Sequence, residues 1–172
     1  IKIRENFSIN VAKTIYSRIA YPSNKGGFEK NFIEFIDSDS KVKAFMKIYE
    51  SYHDVSSVVY IRDDGMLAHY YPDFMIKIDD KIFIVETKAD RDLDNQNVQS
   101  KGLATIDWVE KVNELESDYR MGCVWNYVLL GEKTFYSMSE KGADTEEILN
   151  FAKKTKAMIK GTLGDYVKIK DY

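Results

Sequence analysis

Cysteine, proline and histidine are scarce in this chain, which has one, two and two of them among 172 residues. The single cysteine, Cys123, excludes an internal disulfide framework and a cysteine-rich zinc site. It is typical of a reducing compartment, so we expect a cytoplasmic protein. Because Cys123 lies in an apolar segment, we expect a small buried side chain rather than a reactive thiol. His53 and His69 stand sixteen positions apart, which excludes a multi-histidine metal site.

Long apolar runs, linkers and several well-known motifs are also missing. No apolar run approaches the roughly 18 residues of a membrane span, and we expect no membrane association. GxxxxGK[ST], GxGxxG, GxSxG, HExxH and CxxC do not occur, which excludes P-loop ATP hydrolysis and zincin chemistry for this chain. No Pro/Ser-rich linker or repeat appears, so we expect one domain over residues 1–172. Because the first residue is Ile1 rather than Met, we expect that domain to be part of a larger protein.

Composition favours a folded domain with a sizeable core, since 44% of the residues are apolar and 13% are aromatic. The formal charge of −3 argues against a strongly basic nucleic-acid coat. Residues 151–172, however, carry six lysines against two aspartates, a local charge of +4. Two interpretations stay open for this segment: a solvated helix face and tail, or a patch that contacts phosphates.

Hydrophobic periodicity predicts helices followed by a sheet. The predicted helices are 7–19, one that opens after Gly27, 41–52, 98–116 and 144–159; the predicted strands are 57–62, 66–78, 81–88, 123–130 and, shorter, 133–138. Ser38–Ser40 is predicted to cap the third helix, and Phe151 is predicted to pack with the last one. This order indicates an α/β or α+β domain around a mixed sheet, with a core over about 26–138 and the first and last helices as additions.

Residues 71–88 contain the most informative pattern. If Asp79 and Asp80 form a two-residue hairpin loop, Asp73 lies opposite Glu86 on one face of the sheet. Lys88 projects from that same face, because strand side chains alternate. Two carboxylates set opposite each other between apolar strands are destabilising unless they are paired or bind a cation. A Mg²⁺ or Mn²⁺ site and a simple ion pair with Lys88 both satisfy this requirement, and the pattern does not separate them.

The same residues resemble a known motif. Pro72-Asp73, twelve residues and Glu86-Thr87-Lys88 resemble the PD-(D/E)xK motif of the restriction-endonuclease-like nucleases. The resemblance implies an αβββαβ core, which fits the order predicted for residues 26–130. It also implies a glutamate on the helix before the sheet, where Glu29 stands. A polar residue is expected on the helix after the motif, where Lys101 stands.

The chain is most similar to the C-terminal endonuclease domain of type III restriction enzyme restriction subunits. The similar segments are Phe28 to Val42, Tyr60, Tyr71 to Phe74, Glu86 to Lys88, and Val98 to Asn113. In that family a glycine often follows the motif lysine, whereas this chain has Ala89. The helicase-like motor of such subunits is not in this sequence, which is consistent with an excised domain.

The resemblance implies a metal-dependent DNA endonuclease. Asp73, Glu86 and the carbonyl oxygen of Thr87 would bind Mg²⁺, or Mn²⁺ as a substitute, and Glu29 would complete the shell through water or hold a second ion. Lys88 would orient the attacking water and offset charge at the phosphorus. Lys101 and Gln99 would contact phosphate or position water, although Gln99 is equally well explained as a surface side chain. Cleavage would leave 5′-phosphate and 3′-hydroxyl ends.

The implied partners are double-stranded DNA and, elsewhere in the same protein or complex, helicase-like and DNA-recognition or methyltransferase components. A dimer would supply the two active sites that a double-strand cut needs. Two other functions stay open: an inert nuclease-fold binding or assembly module, and a repair nuclease, junction resolvase or transposon-associated enzyme of the same fold. A two-carboxylate glycosidase is disfavoured because Lys88 has no role in that chemistry.

Overall fold

The computed structural model describes residues 7–22, 27–50 and 57–159. In chain order its elements are β1 Ser8–Asn10, β2 Arg18–Ala20, α1 Phe28–Ser38, β3 Val42–Lys47, β4 Val58–Ile61, β5 Leu67–Tyr70, β6 Phe74–Ile78, β7 Lys81–Lys88, α2 Gln96–Glu114, β8 Val124–Gly131, α3 Glu132–Ser139 and α4 Thr145–Ala152. Short 3₁₀ turns lie at Asp90–Asp92 and Ser117–Arg120. In these ranges no helix has the length and apolar character needed to cross a bilayer.

A mixed four-stranded sheet in the order β3-β6-β7-β8 forms the centre of the fold. The first three strands are antiparallel, whereas β7 and β8 are parallel and are joined through α2. Residues 82–87 of β7 are all buried, as expected for a strand that is covered on both faces. The α/β architecture around a mixed sheet that the sequence predicts is therefore confirmed.

Helices cover both faces of this sheet. On one face α1, α3 and α4 pack on alternate strand residues such as Phe74, Ile76 and Val85. On the other face α2 packs on Ile82 and Ile84. These are the two faces that the alternation in β6 and β7 predicts. The β4–β5 hairpin forms a separate two-stranded sheet, whose inner residues contact Ala104 of α2.

The predicted hairpin register is also confirmed. Ile78 pairs with Lys81 across the Asp79-Asp80 loop, and the ladder continues to Phe74 opposite Val85. Asp79 adopts a left-handed conformation with φ of 45°, which aspartate tolerates in such turns. Continuing this register by one residue brings Asp73 opposite Glu86. The predicted strand 66–78 is two strands, because the segment Tyr71-Pro72-Asp73 belongs to no strand and separates β5 from β6.

The prediction of a helix over 7–19 is wrong, because this segment forms the antiparallel pair β1 and β2. The backbone N–H groups of Ala12 and Lys13 donate to the Asp37 carboxylate, each at 2.9 Å. These contacts hold the connecting loop against α1 and replace the hydrogen bonds of a local helix. Ile15, one of the residues that gave the helical spacing, is 86% exposed.

The prediction of a helix over 41–52 with a cap at Ser38–Ser40 is also wrong; residues 51 and 52 lie outside the described part. Val42–Lys47 is strand β3, paired with β6. A register shift between Val42 and Ala44 marks a bulge, and Val42 and Phe45 both face the core. A bulge places residues three apart on the same side of a strand, which imitates the helical period.

The predicted strand 133–138 is instead helix α3. Its Lys133 N–H donates to Asp90 Oδ2 at 2.9 Å, which satisfies one exposed donor of the first turn. Phe135 is 2% exposed and contacts the rings of Phe28, Phe32 and Phe35 at centroid distances of 5.4–5.6 Å. The aromatic cluster with α1 therefore decides the structure of this segment.

The last predicted helix, 144–159, is interrupted: residues 145–152 and 156–159 are helical, and 153–155 are not. Helix α4 begins at a capping box between Asp144 and Glu147 and ends at Ala152, since Lys153 makes a bridge to Val128 of β8. Its Ile148 is buried as predicted, but Phe151 is 71% exposed, so the prediction that Phe151 packs inward is wrong. The helix predicted at 98–116, the strand at 123–130 and the buried Cys123 are confirmed.

Candidate active site

The open end of the β6–β7 hairpin brings the motif residues together. Asp73 Oδ2 accepts hydrogen bonds from the backbone N–H of Thr87 at 2.8 Å and from its hydroxyl at 2.7 Å. These two bonds fix the Asp73 carboxylate against β7, next to Glu86. In the described part of the chain, no hydrogen bond reaches Asp73 Oδ1, so this oxygen is available to a ligand.

Glu86 is the next residue after the paired Val85, on the side of Asp73, and is only 3% exposed. Its Oε1 accepts a hydrogen bond from the ammonium of Lys88 on the same strand. Its Oε2 accepts one from the hydroxyl of Tyr70 at 2.5 Å. Both carboxylate oxygens therefore have a donor, as a buried carboxylate requires.

The electrostatics of this pair favour the binding of a cation. Burial and the neighbouring Asp73 carboxylate raise the pKa of Glu86 to about 7, although Lys88 and Tyr70 act in the opposite direction. Burial alone would lower the pKa of Lys88, but Glu86 holds it above its usual value, so this side chain is charged. One lysine thus faces two carboxylates, and a divalent ion would offset the remaining negative charge.

A cleft of about 810 Å³ opens over these residues. We call it the cleft; its wall includes Glu29, Asp73, Thr87, Lys88, Lys101 and Lys133. Lys101 comes from the first half of α2, whose N-cap Asn95 accepts a hydrogen bond from Asn97 N–H at 2.9 Å. The Lys101 ammonium lies 5.6 Å and 5.1 Å from the ring centroids of Tyr60 and Tyr70. These rings attract the cation and hold it beside the cleft.

Glu29 reaches the cleft from the first turn of α1 and is not free there. Its Oε1 accepts a hydrogen bond from the Lys47 ammonium, which also lies 4.8 Å from the centre of the Phe74 ring. The two side chains are 12% and 9% exposed. Sequence reasoning missed Lys47 because residues 41–52 were predicted to be a helix. On a strand its alternation with Phe45 would have placed it on the core side.

Gln99 is not brought to the cleft. It is 5% exposed, and its Nε2 donates to the Leu93 carbonyl oxygen at 2.6 Å. Gln99 lines a separate cavity of about 180 Å³ between α2, β8 and α4. Its side chain therefore fixes the loop before α2.

The C-terminal lysines are only partly described, because Lys160, Lys168 and Lys170 lie outside the described residues. Lys156 contacts the carboxylates of Asp107 and Glu110 on α2, the latter at 2.6 Å. Lys154 donates its backbone N–H to the Tyr127 carbonyl oxygen. Among the described lysines of this segment, Lys156 thus has its charge offset within the protein.

The candidate ligands at the hairpin end are the carboxylates of Asp73 and Glu86 and the carbonyl oxygen of Thr87, which follows Glu86 on β7. Within residues 7–22, 27–50 and 57–159, no group of three or more His, Cys, Asp or Glu side chains is arranged to hold a metal ion. His69 lies on β5 and contacts Ser57 at 3.1 Å, and His53 lies outside these ranges. Hard oxygen donors with few carboxylates suit Mg²⁺ or Mn²⁺, which keep water ligands, better than zinc.

The comparison with known protein families identifies the domain. A family model described as "Endonuclease domain" matches residues 12–116, more than half of the chain, and this range includes Glu29, Asp73, Glu86, Lys88 and Lys101. No curated protein and no solved structure shows significant similarity to the chain. The match and the mixed α/β fold agree with a restriction-endonuclease-like nuclease. The chain belongs to the Endonuclease domain family.

Proposed function

We propose that this domain is a metal-dependent DNA endonuclease of the PD-(D/E)xK type, and that it is the cleavage domain of a restriction enzyme similar to the type III enzymes. One observation carries the proposal. Asp73, Glu86 and Lys88 converge at one end of the β6–β7 hairpin, below a cleft that Lys101 borders.

The ion in this proposal is Mg²⁺, with Mn²⁺ as a substitute, held by Asp73, Glu86 and the Thr87 carbonyl oxygen. Support comes from the excess of carboxylate over ammonium charge and from Asp73 Oδ1, which accepts no hydrogen bond in the described part of the chain. When bound, such an ion would polarise a phosphate and lower the pKa of a bound water. The two hydrogen bonds from Thr87 orient the Asp73 carboxylate for this role.

The other side chains have separate roles. Lys88 orients the attacking water and offsets the negative charge that develops on the phosphate. Lys101 binds a phosphate of the DNA strand. Glu29 completes the shell through water, a role in which it would have to share its carboxylate with Lys47. We assign no role in the reaction to Gln99, because it lies outside the cleft.

Double-stranded DNA is the proposed substrate, and its binding to this domain alone is proposed to be weak. The chain has a net charge of −3, so phosphate contact is confined to the cleft and its rim. Helicase-like and DNA-recognition or methyltransferase components of the parent protein or complex would supply tight, sequence-specific binding. A dimer, or two complexes on one DNA, would supply the second active site for a double-strand cut.

Plasmid nicking tests this proposal. Supercoiled DNA is incubated with the domain in Mg²⁺, in Mn²⁺ and in EDTA. The variant Asp73→Asn removes the site carboxylate, and Asp80→Asn is its matched control at the opposite end of the same hairpin. We expect metal-dependent nicking that Asp73→Asn abolishes and Asp80→Asn retains.

Calorimetric titration with Mn²⁺ separates the alternatives if no nicking is seen. Mn²⁺ binding that Asp73→Asn removes would keep the nuclease assignment and indicate that the domain needs its partners to bind DNA. No Mn²⁺ binding at all would contradict it and favour an inert binding or assembly module. Two further substrates, a four-way DNA junction and a linear duplex, distinguish a resolvase, which would cut the junction in preference to the duplex.

A further inference from the structure

We propose that Tyr70 is a positioning residue of this active site, which holds one oxygen of the Glu86 carboxylate so that the other is directed to Lys88 and the cleft. The inference rests on the proposed function and assigns a residue outside the PD-(D/E)xK motif. Tyr70 touches neither the DNA nor the ion in this proposal; it acts through Glu86.

The contact joins two different sheets. Tyr70 ends β5 of the small hairpin, and Glu86 lies on β7 of the central sheet. The Tyr70 side chain is 3% exposed, and its hydroxyl donates to Glu86 Oε2 at 2.5 Å. Because Lys88 donates to the other oxygen, the two donors together fix the rotation of the carboxylate. A hydrogen bond to a charged acceptor is shorter and stronger than one between neutral groups.

Packing of the ring does not require the hydrogen bond that the Tyr70 hydroxyl makes. Tyr60 is a second buried tyrosine of the same hairpin, 9% exposed, and its ring lies 6.4 Å from that of Tyr70 in an edge-on arrangement. Both rings face Lys101. Within the described residues, however, no hydrogen bond is made by the Tyr60 hydroxyl. A buried tyrosine of this hairpin can therefore lack such a bond, and what distinguishes the Tyr70 hydroxyl from that of Tyr60 is its hydrogen bond to Glu86.

Groups that hydrogen-bond to a metal ligand usually matter for metal affinity. They orient the ligand before the ion arrives, and their removal typically weakens metal binding by about 10- to 100-fold. Tyr70 is such a group, because its hydroxyl donates a hydrogen bond to Glu86, a proposed metal ligand. Its loss would leave the Glu86 carboxylate held by Lys88 alone, through one oxygen.

The variants Tyr70→Phe and Tyr60→Phe test the inference, since each removes one hydroxyl and keeps the ring. Mn²⁺ affinity is measured by calorimetry and by electron paramagnetic resonance, in the absence of DNA. We expect Tyr70→Phe to bind Mn²⁺ at least about tenfold more weakly than wild type, and Tyr60→Phe to bind within about twofold of it. Thermal unfolding, followed by circular dichroism, checks that both variants are folded at the temperature of the titration.

The failure of this inference is distinguishable from that of the proposed function. If wild type and Tyr70→Phe bind Mn²⁺ equally, or if Tyr60→Phe weakens binding as much, the role of Tyr70 is refuted while the metal site stands. Wild type that binds no Mn²⁺ refutes both.

The wild-type protein gives a second measurement if Tyr70→Phe does not fold. Proton NMR should show a slowly exchanging Tyr70 hydroxyl proton that is shifted downfield and moves when Mg²⁺ is added. The absence of a protected hydroxyl proton would overturn the inference.

Discussion

Lys47 donates a hydrogen bond to Glu29 through side chains that are only 9% and 12% exposed, although neither residue belongs to the motif at 72–88. The Lys47 ammonium also lies over the rings of Tyr49 and Phe74. This pair joins the first turn of α1 to the edge strand β3 at the wall of the cleft. The pair therefore connects the wall of the candidate active site, through Glu29, with the core residue Phe74.

Replacing Lys47 should destabilise the protein strongly. Lys47→Met removes the cation from a nearly buried carboxylate, and we expect a loss of about 3 kcal/mol in the free energy of unfolding, measured by urea denaturation at pH 7. The double variant Lys47→Met/Glu29→Gln should recover most of it. Lys43→Met is the control, because its pair with Asp79 is exposed and should change stability by less than about 0.5 kcal/mol. A small effect of Lys47→Met would show that the pair contributes little.

The pH dependence of stability should reveal the raised pKa of Glu86. Because the pKa is about 7 in the folded protein and near 4.5 unfolded, the folded state retains a proton that the unfolded state has lost. Without metal, stability should therefore fall as pH rises from about 4.5 to 7, by up to about 3 kcal/mol from this group.

The variant Glu86→Gln isolates this contribution, since the amide does not titrate in that range. Urea denaturation between pH 4 and pH 8 should show that the variant gains stability relative to wild type as pH rises. Asp80→Asn, at the exposed hairpin turn, should follow wild type. A difference between Glu86→Gln and wild type that does not change with pH would contradict the raised pKa.

Binding of DNA should depend steeply on salt and include one contact from Lys101. Lys101→Gln is expected to weaken duplex binding and to lower the slope of log K against log salt by about 0.9, the value for one phosphate. Fluorescence anisotropy with EDTA present measures binding without cleavage. Lys111→Gln, an exposed lysine at the far end of α2, should leave the slope unchanged. Nanomolar, sequence-specific binding by the domain alone would contradict the proposed weak interaction.

Two phenylalanines in neighbouring helices should differ sharply in their importance for stability. Phe135 of α3 is 2% exposed within an aromatic cluster, whereas Phe151 of α4 is 71% exposed. Phe135→Ala is expected to cost about 3–5 kcal/mol, as large-to-small changes of buried aromatics do. Phe151→Ala should cost less than about 0.5 kcal/mol. Similar effects of the two changes, measured by urea denaturation, would contradict the packing described for α3.

The hairpin that carries the motif could be predicted from the sequence because its determinants are local. The Asp79-Asp80 turn sets the register, and successive strand side chains point to opposite faces. The position of Asp73 opposite Glu86 therefore follows from the residue numbers. Helix α2 was predictable for the same reason, since its apolar residues recur over five turns.

The elements that were predicted wrongly are determined by distant residues. The bulge in β3 imitates a helical period, and Asp37 holds the loop between β1 and β2 from α1. The contacts of Glu86 with Tyr70 and of Glu29 with Lys47 bridge separate elements. No local sequence pattern predicts such contacts, because each of the two residues is compatible with its own strand or helix without the other.

The β4–β5 hairpin supplies Tyr70 to the site yet pairs, in the described part of the chain, with no strand of the central sheet. It is held by packing on α2 and by a hydrogen bond from Asp63 N–H to the Asn97 side chain. Detaching it would leave every ladder of the central sheet intact while taking away one of the two donors of Glu86. For the proposed ion site, we therefore expect substitutions in this hairpin to change the ion affinity while the ladders of the central sheet stay intact.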